Sequence, residues 1–176
     1  FVPYLGLALT YSRSSLVAFF IVFSFIAYKK NSLKIFITTS LLILLTVFLL
    51  PRMPGEGTKL ERTSSIKAKI INYQEGIKLF LTSPIIGIGY NNIPSLRPNN
   101  ASHANSGFDS SLLTVAISTG LIGLYLFIKI WTLSLNSSSL YWQSLLLAVF
   151  VHSLFANSLL YPWILFYLAF EFKYRK

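Results

Sequence analysis

The chain has no cysteine, a single methionine and only five acidic residues among its 176. Without cysteine there is no disulfide framework, no thiolate nucleophile and no thiolate-bound metal. The two histidines and five carboxylates show no metal-ligand spacing. Charge of either sign is scarce: 11% of residues carry it, against about 25% in soluble domains. No nucleophile elbow or other serine-hydrolase signature occurs. The Gly87-Ile88-Gly89 triplet lacks the third glycine of a dinucleotide loop, because Asn92 stands in its place. With no βαβ context either, it reads as a tight turn.

What is abundant is apolar. Hydrophobic residues make up 54% of the chain, a composition of the membrane class. A span takes roughly 20 apolar residues, fewer or more with tilt. Runs at 14–28, 33–50, 110–131, 140–157 and 159–172 read as spans, and 1–9 as the tail of a truncated one. The chain opens on Phe1 rather than Met, directly in apolar sequence. It reads as the C-terminal part of a longer polytopic protein whose N-terminal spans are missing. The expected fold is all-α and polytopic. Residues 1–50 hold transmembrane helices, the first one truncated. Residues 51–108 form an extracytoplasmic loop with an amphipathic helix at about 64–82. Residues 109–176 hold three further transmembrane helices and a basic cytoplasmic tail.

Charge orients these spans. Lys29, Lys30 and Lys34 mark a cytoplasmic turn, and counting spans from it puts Lys129 and the Lys173-Tyr174-Arg175-Lys176 tail on the same side. A net charge of +10 therefore needs no nucleic acid to explain it. Eight cations fall outside: Arg13, Arg52, Lys59, Arg62, Lys67, Lys69, Lys78 and Arg97, offset by Glu56, Glu61, Glu75 and Asp109. An outward excess of positive charge suits an anionic ligand at the outer face.

Within the loop, Ile66, Ile70, Tyr73, Ile77 and Phe80 recur at helical spacing. Thr63, Ser64 and Ser65 offer caps, Ser83-Pro84 ends the run, and Lys67, Gln74 and Lys78 take the opposite face. Two placements fit: a helix lying in the lipid headgroup layer, or one packed on the outer mouth of a site.

Three places can carry chemistry. Arg13 sits among Ser12, Ser14 and Ser15. An arginine there either snorkels to the interface or grips phosphate oxygens with its planar fork. Asp109, like Ser110, can cap the helix that follows. It can also join His103, six residues upstream, in orienting and deprotonating a hydroxyl at a helix N-terminus that favours anions. His152, Ser153 and Asn157 approach the same outer face from the next span.

In order and topology, these segments resemble the C-terminal half of bacterial O-antigen ligases and polymerases. The resemblance rests on SR at the head of a span and on an amphipathic helix running into SPIIGIGYNNI. Its third element is HANSGFDSSLLTVAISTGLIG, with a glycine pair at Gly120 and Gly123. It covers most of residues 10–125. It implies a GT-C-like integral-membrane glycosyltransferase that needs no metal or nucleotide. Such an enzyme moves a glycan from an undecaprenyl-pyrophosphate carrier to an acceptor hydroxyl, on a glycan, lipid or protein, at the outer face of the bacterial cytoplasmic membrane. Arginines would hold the pyrophosphate, and a loop histidine would activate the acceptor.

Carried over, Arg13 matches the SR arginine. The loop arginine falls on Lys69, with Arg62 the nearest substitute and Tyr73 in place of a common tryptophan. The histidine position falls on Asp109, which leaves His103 and Asp109 as alternative bases. Ser118 and Thr119 stand where an acidic residue is frequent. The chemistry is consistent with these residues. A leaving diphosphate needs cations, for which Arg13, Arg62, Lys69 and Arg97 are candidates, and His152 and Asn157 can line the site. No cofactor is expected; the partners are the lipid-linked donor, the acceptor and membrane lipids, not nucleic acid. The alternative is a non-enzymatic transport component or binding module for an anionic lipid or glycan.

Overall fold

The structure, a computed structural model, describes residues 2–50, 63–97, 107–136 and 139–173. Arg62 and His103 lie outside the described residues. Within them the chain is helical with no strand. The helices are α1 (Val2–Leu9), α2 (Arg13–Lys29), α3 (Leu33–Leu49), α4 (Ser64–Thr82), α5 (Ile93–Leu96), α6 (Ser111–Asn136), α7 (Leu140–Ser153) and α8 (Pro162–Lys173), and a 3-10 turn spans Tyr90–Asn92. The chain divides into two units, Phe1–Ile66 with Ser137–His152, and Lys67–Asn136 with Ser153–Lys176.

In the first unit, Ser12 caps α2: its hydroxyl accepts from the Ser15 N–H at 3.3 Å and from the Ser15 hydroxyl at 2.9 Å. The chain enters that cap through Tyr11 at φ 50 and leaves α2 through Asn31 at φ 48, a left-handed conformation that Asn adopts at little cost. The short turn lays α3 back along α2, with Phe20 and Phe36 in ring contact. Tyr4 of α1 stacks obliquely on Phe19 and donates its hydroxyl to the Leu42 carbonyl at 3.0 Å. Its oxygen also meets the Thr46 hydroxyl. Several polar groups of these apolar helices find partners in neighbouring helices or in their own preceding turn, as with Thr39 and Ile35, while the buried Ser24 hydroxyl of α2 has no partner among the described residues.

The second unit is built on α4 and α6. Gly76 is the point of closest approach: a Cβ there would stand 2.6 Å from Leu113 Cδ2 and 3.2 Å from Ile117 Cδ1. Around it Ile93, Phe108 and Ile117 form a buried core, with Leu79, Phe80, Ile88 and Leu113 packed against it. Burying a side chain such as Ile117 is worth about 1.5–3 kcal/mol.

The apolar stripe drawn from spacing is only partly the packed face. Tyr73 and Phe80 turn inward, whereas Ile66, Ile70 and Ile77 are exposed. The packed face is rotated towards Lys69, Asn72, Gly76 and Leu79. Gly76 permits the close approach, and hydrogen bonds draw the polar side chains in.

Helix α6 is two helices joined at Gly120, whose φ 66, ψ −166 is not helical. The turn at 84–89 is wedged into the break. An unbroken helix would pair Leu121 N–H with Ile117 O and Ile122 N–H with Ser118 O. Here Ile117 O and Ser118 O instead accept from the N–H groups of Ile88 at 2.9 Å and Gly89 at 3.0 Å. Leu121 and Ile122 donate to the carbonyls of Pro84 at 2.8 Å and Ile85 at 3.3 Å. Two ladder bonds are replaced by four, so the broken helix keeps its backbone satisfied.

By length and composition α6 is the one helix among the described residues able to cross a membrane. The other apolar helices are shorter: α3 has 17 residues, α7 14 and α8 12. The apolar runs at 140–157 and 159–172 are trimmed because residues 154–161 form a turn rather than helix.

Candidate active site

The N-terminus of α6 collects the polar groups of the second unit. Ser110 caps the helix, its hydroxyl accepting from Leu113 N–H at 3.4 Å. Thr114 seals the approach: its Oγ1 donates to Ser110 O at 3.0 Å and accepts from Phe108 N–H at 3.2 Å. The cap therefore does not use Asp109. The Asp109 backbone N–H donates to Asn72 Oδ1 at 3.0 Å. Its half-buried carboxylate has no hydrogen-bond or ion-pair partner among the described residues. The carboxylate is thus kept out of the cap, at the positive end of a helix, where negative charge is favoured.

Asn157 belongs to the support of this end. Its Oδ1 accepts from the Ser111 hydroxyl at 3.0 Å, and Ser111 Oγ accepts from Leu159 N–H at 3.2 Å. Ser111 is wholly buried. From α4, Lys69 Nζ donates to Phe155 O and the Tyr73 hydroxyl to Leu154 O. The 154–161 turn is thus held by α4 and by the start of α6.

Arg97 is bound within the protein. It donates to Gly107 O at 2.7 Å and to Glu75 Oε2 at 3.0 Å, and its guanidinium lies 4.6 Å from the centre of the Phe108 ring. It ties α4, the segment after α5 and the approach to α6 into one clamp. Removing one member of a largely buried pair costs about 3–5 kcal/mol, discounted here because Glu75 is 35% exposed. Arg97→Ala is accordingly expected to lower the unfolding temperature of the protein in detergent. An Arg97→Ala variant that melts like wild type but fails in glycan transfer would instead assign Arg97 to ligand binding.

The remaining candidates lie in the first unit. Arg13 is the first residue of α2 and half-buried. Next to it Ser14 Oγ contacts Ser12 Oγ at 3.1 Å and His152 Nε2 at 3.4 Å. The structure therefore joins Lys69, Arg97, Asp109 and Asn157 around residues 107–111 and 154–159, and separately joins the neighbour of Arg13 to His152. Sequence reasoning did not single out Asn72, Glu75 or Ser111. Asn72 left a trace, a polar residue within the apolar IINYQEG segment that shares a helix face with Gly76.

Among the described residues the protein is all-helical, with an apolar helix of membrane-crossing length and a set of polar side chains at the start of that helix. The family model for O-antigen ligase matches residues 1–128, and the chain belongs to that family. No curated protein and no solved structure matches it. Membership implies a glycan-ligating enzyme of polysaccharide biosynthesis in the bacterial inner membrane, with a lipid-linked glycan donor and an acceptor. The match takes in the wedge and α6 as far as Ile128, and ends before His152 and Asn157.

Proposed function

We propose that the protein moves a glycan from an undecaprenyl-pyrophosphate carrier to an acceptor hydroxyl at the outer face of the bacterial cytoplasmic membrane. In this reading it is a GT-C-like, multi-pass protein. Residues 1–50 and 109–176 lie in the bilayer, apart from the basic cytoplasmic tail, and residues 51–108 lie outside. The observation that carries the reading is the Asp109 carboxylate, unengaged at the N-terminus of α6 in a chain of this family. The carboxylate takes the proton of the acceptor hydroxyl. The acceptor oxygen then bonds to the anomeric carbon, the bond from that carbon to the diphosphate breaks, and undecaprenyl diphosphate leaves with its electron pair. The activated bond is supplied by the donor, so no nucleotide enters the step.

Arg13 binds the diphosphate, with Arg62 as a second cation. Lys69, Arg97 and Asn157 position the loop and the helix end, His152 orients Ser14 beside Arg13, and His103 is the alternative base. A guanidinium offers two parallel donors to a diphosphate, where an ammonium offers a point charge.

The test is transfer in vitro from an undecaprenyl-pyrophosphate glycan by full-length protein. Wild type is expected to transfer. Arg13→Ala should abolish transfer without loss of helix content, and Arg13→Lys should restore little of it. Full activity in Arg13→Ala would remove Arg13 from the site, and inactive wild type would overturn the reading altogether.

A further inference from the structure

Helix α4 has one face unaccounted for by the site it supports. Ile70, Ile77 and Leu81, at spacings of seven and four, are 52%, 50% and 66% exposed. They form one ridge, distinct from the face that carries Gly76 into α6. Lys67, Gln74 and Lys78, all exposed, lie not on the opposite face expected from the sequence but about 60° round the helix from the ridge. The ridge does not stop with the helix. Ile85 and Ile86 in the wedge turn are 62% and 71% exposed. The Ile85 carbonyl is bonded to Ile122 N–H, and Ile122, like its neighbour Leu121, is 54% exposed on α6. Exposed apolar side chains thus follow one another from the end of α4 through the turn to the stretch of α6 bonded to it, and α6 is the one described helix long and apolar enough to cross a bilayer.

Scattered exposed apolar side chains need no explanation, but a contiguous strip marks a contact surface. We infer that the α4 ridge is seated in the headgroup layer of the bilayer, with Lys67 and Lys78 on phosphates of acidic phospholipids. Continuity with α6 selects lipid as the occupant. The lysine row fits it as well, since an interfacial helix puts its apolar side among acyl chains and its cations level with phosphates. The consequence for the enzyme, which rests on the functional reading above, is that α4 fixes Asn72 and Asp109 at headgroup depth. That is where the diphosphate of a membrane-borne donor resides.

These 176 residues contain no cysteine, so spin labelling needs only any cysteine elsewhere in the full-length protein replaced by serine. Full-length protein in vesicles of phosphatidylethanolamine and phosphatidylglycerol would carry one label at a time, as Ile70→Cys, Ile77→Cys, Leu81→Cys or, for reference, Gln74→Cys. The expected result is a higher ratio of oxygen to nickel-chelate collisions at 70, 77 and 81 than at 74. Replacing Lys67 and Lys78 together by Glu should lower that ratio at position 70. A ridge as open to the nickel chelate as position 74 overturns the lipid contact. So does a ridge shielded from both reagents, which would mean that protein, such as a second copy, covers it. An unchanged ratio after the double Glu replacement overturns the phosphate contact. Transfer by unlabelled wild type is read separately. A water-exposed ridge in an active enzyme defeats this inference alone, and inactivity with a lipid-seated ridge defeats the functional reading alone.

Discussion

Asp109→Asn is expected to abolish glycan transfer and leave the fold in place. Asn has nearly the shape of Asp, and the backbone N–H of residue 109 keeps its bond to Asn72 Oδ1. What is lost is the ability to take a proton. Because the carboxylate holds no partner among the described residues, its removal breaks no side-chain interaction. The structural cost is confined to losing a negative charge near a helix N-terminus, about 0.3–1 kcal/mol. A positioned base contributes roughly 10²–10⁴-fold to rate. Single-turnover transfer should therefore fall by at least about 100-fold, with the unfolding temperature nearly unchanged. His103→Ala in the same assay separates the alternatives. Loss there with activity retained in Asp109→Asn would make His103 the base and leave Asp109 without a catalytic role.

The second large effect falls on the fold. Gly120→Ala is expected to destroy the stable protein, and Gly87→Ala to do nearly as much. Gly120 lies at φ 66, ψ −166, a region open essentially to glycine alone and costing about 1–3 kcal/mol for other residues. A Cβ there would collide with the carbonyl group of Ile85 and approach Gly87 N to 2.6 Å. Gly87, at φ 74, would put its Cβ 2.5 Å from the Ser118 carbonyl and from Thr119 N. These are backbone atoms on both sides of the wedge, so neither substitution is relieved by moving a side chain. Gly6→Ala is the control. A Cβ at Gly6 meets nothing within 4 Å and sits in α1, where Ala is favoured over Gly by about 1 kcal/mol. Thermal unfolding in detergent should show opposite signs at the two positions. Wild-type stability in Gly120→Ala would mean that the wedge contributes nothing to the fold.

Helix content was legible, because apolar runs and 3.6-residue periodicity are local signals. What decides the site is not local. The stripe on α4 was read as a single apolar face. In the structure Ile70 and Ile77 stay outside while Lys69 and Asn72 turn in, because their acceptors and donors lie 86 and 37 residues away. Arg97 read as a free cation, yet it pairs with Glu75, 22 positions earlier. Asp109 and Ser110 were equal candidates for the cap, and geometry gives that task to Ser110 and frees Asp109. The apolar runs at 140–157 and 159–172 gave no sign of the turn between them, which is held by Ser111 from 46 and 48 residues away. Gly120 was visible as a motif glycine, but nothing near it announced a broken helix. The groups that mend it come from the GIG segment upstream.

That mending has a consequence for how such proteins can be recombined. A backbone group left unpaired away from water costs free energy comparable to a lost hydrogen bond, so the break in α6 depends on the turn that pairs its freed groups. Residues 84–89 and 117–122 therefore form one exchange module. A chimaera that takes both from the same parent keeps all four bonds, whereas one that splits them joins a key to a stranger's lock.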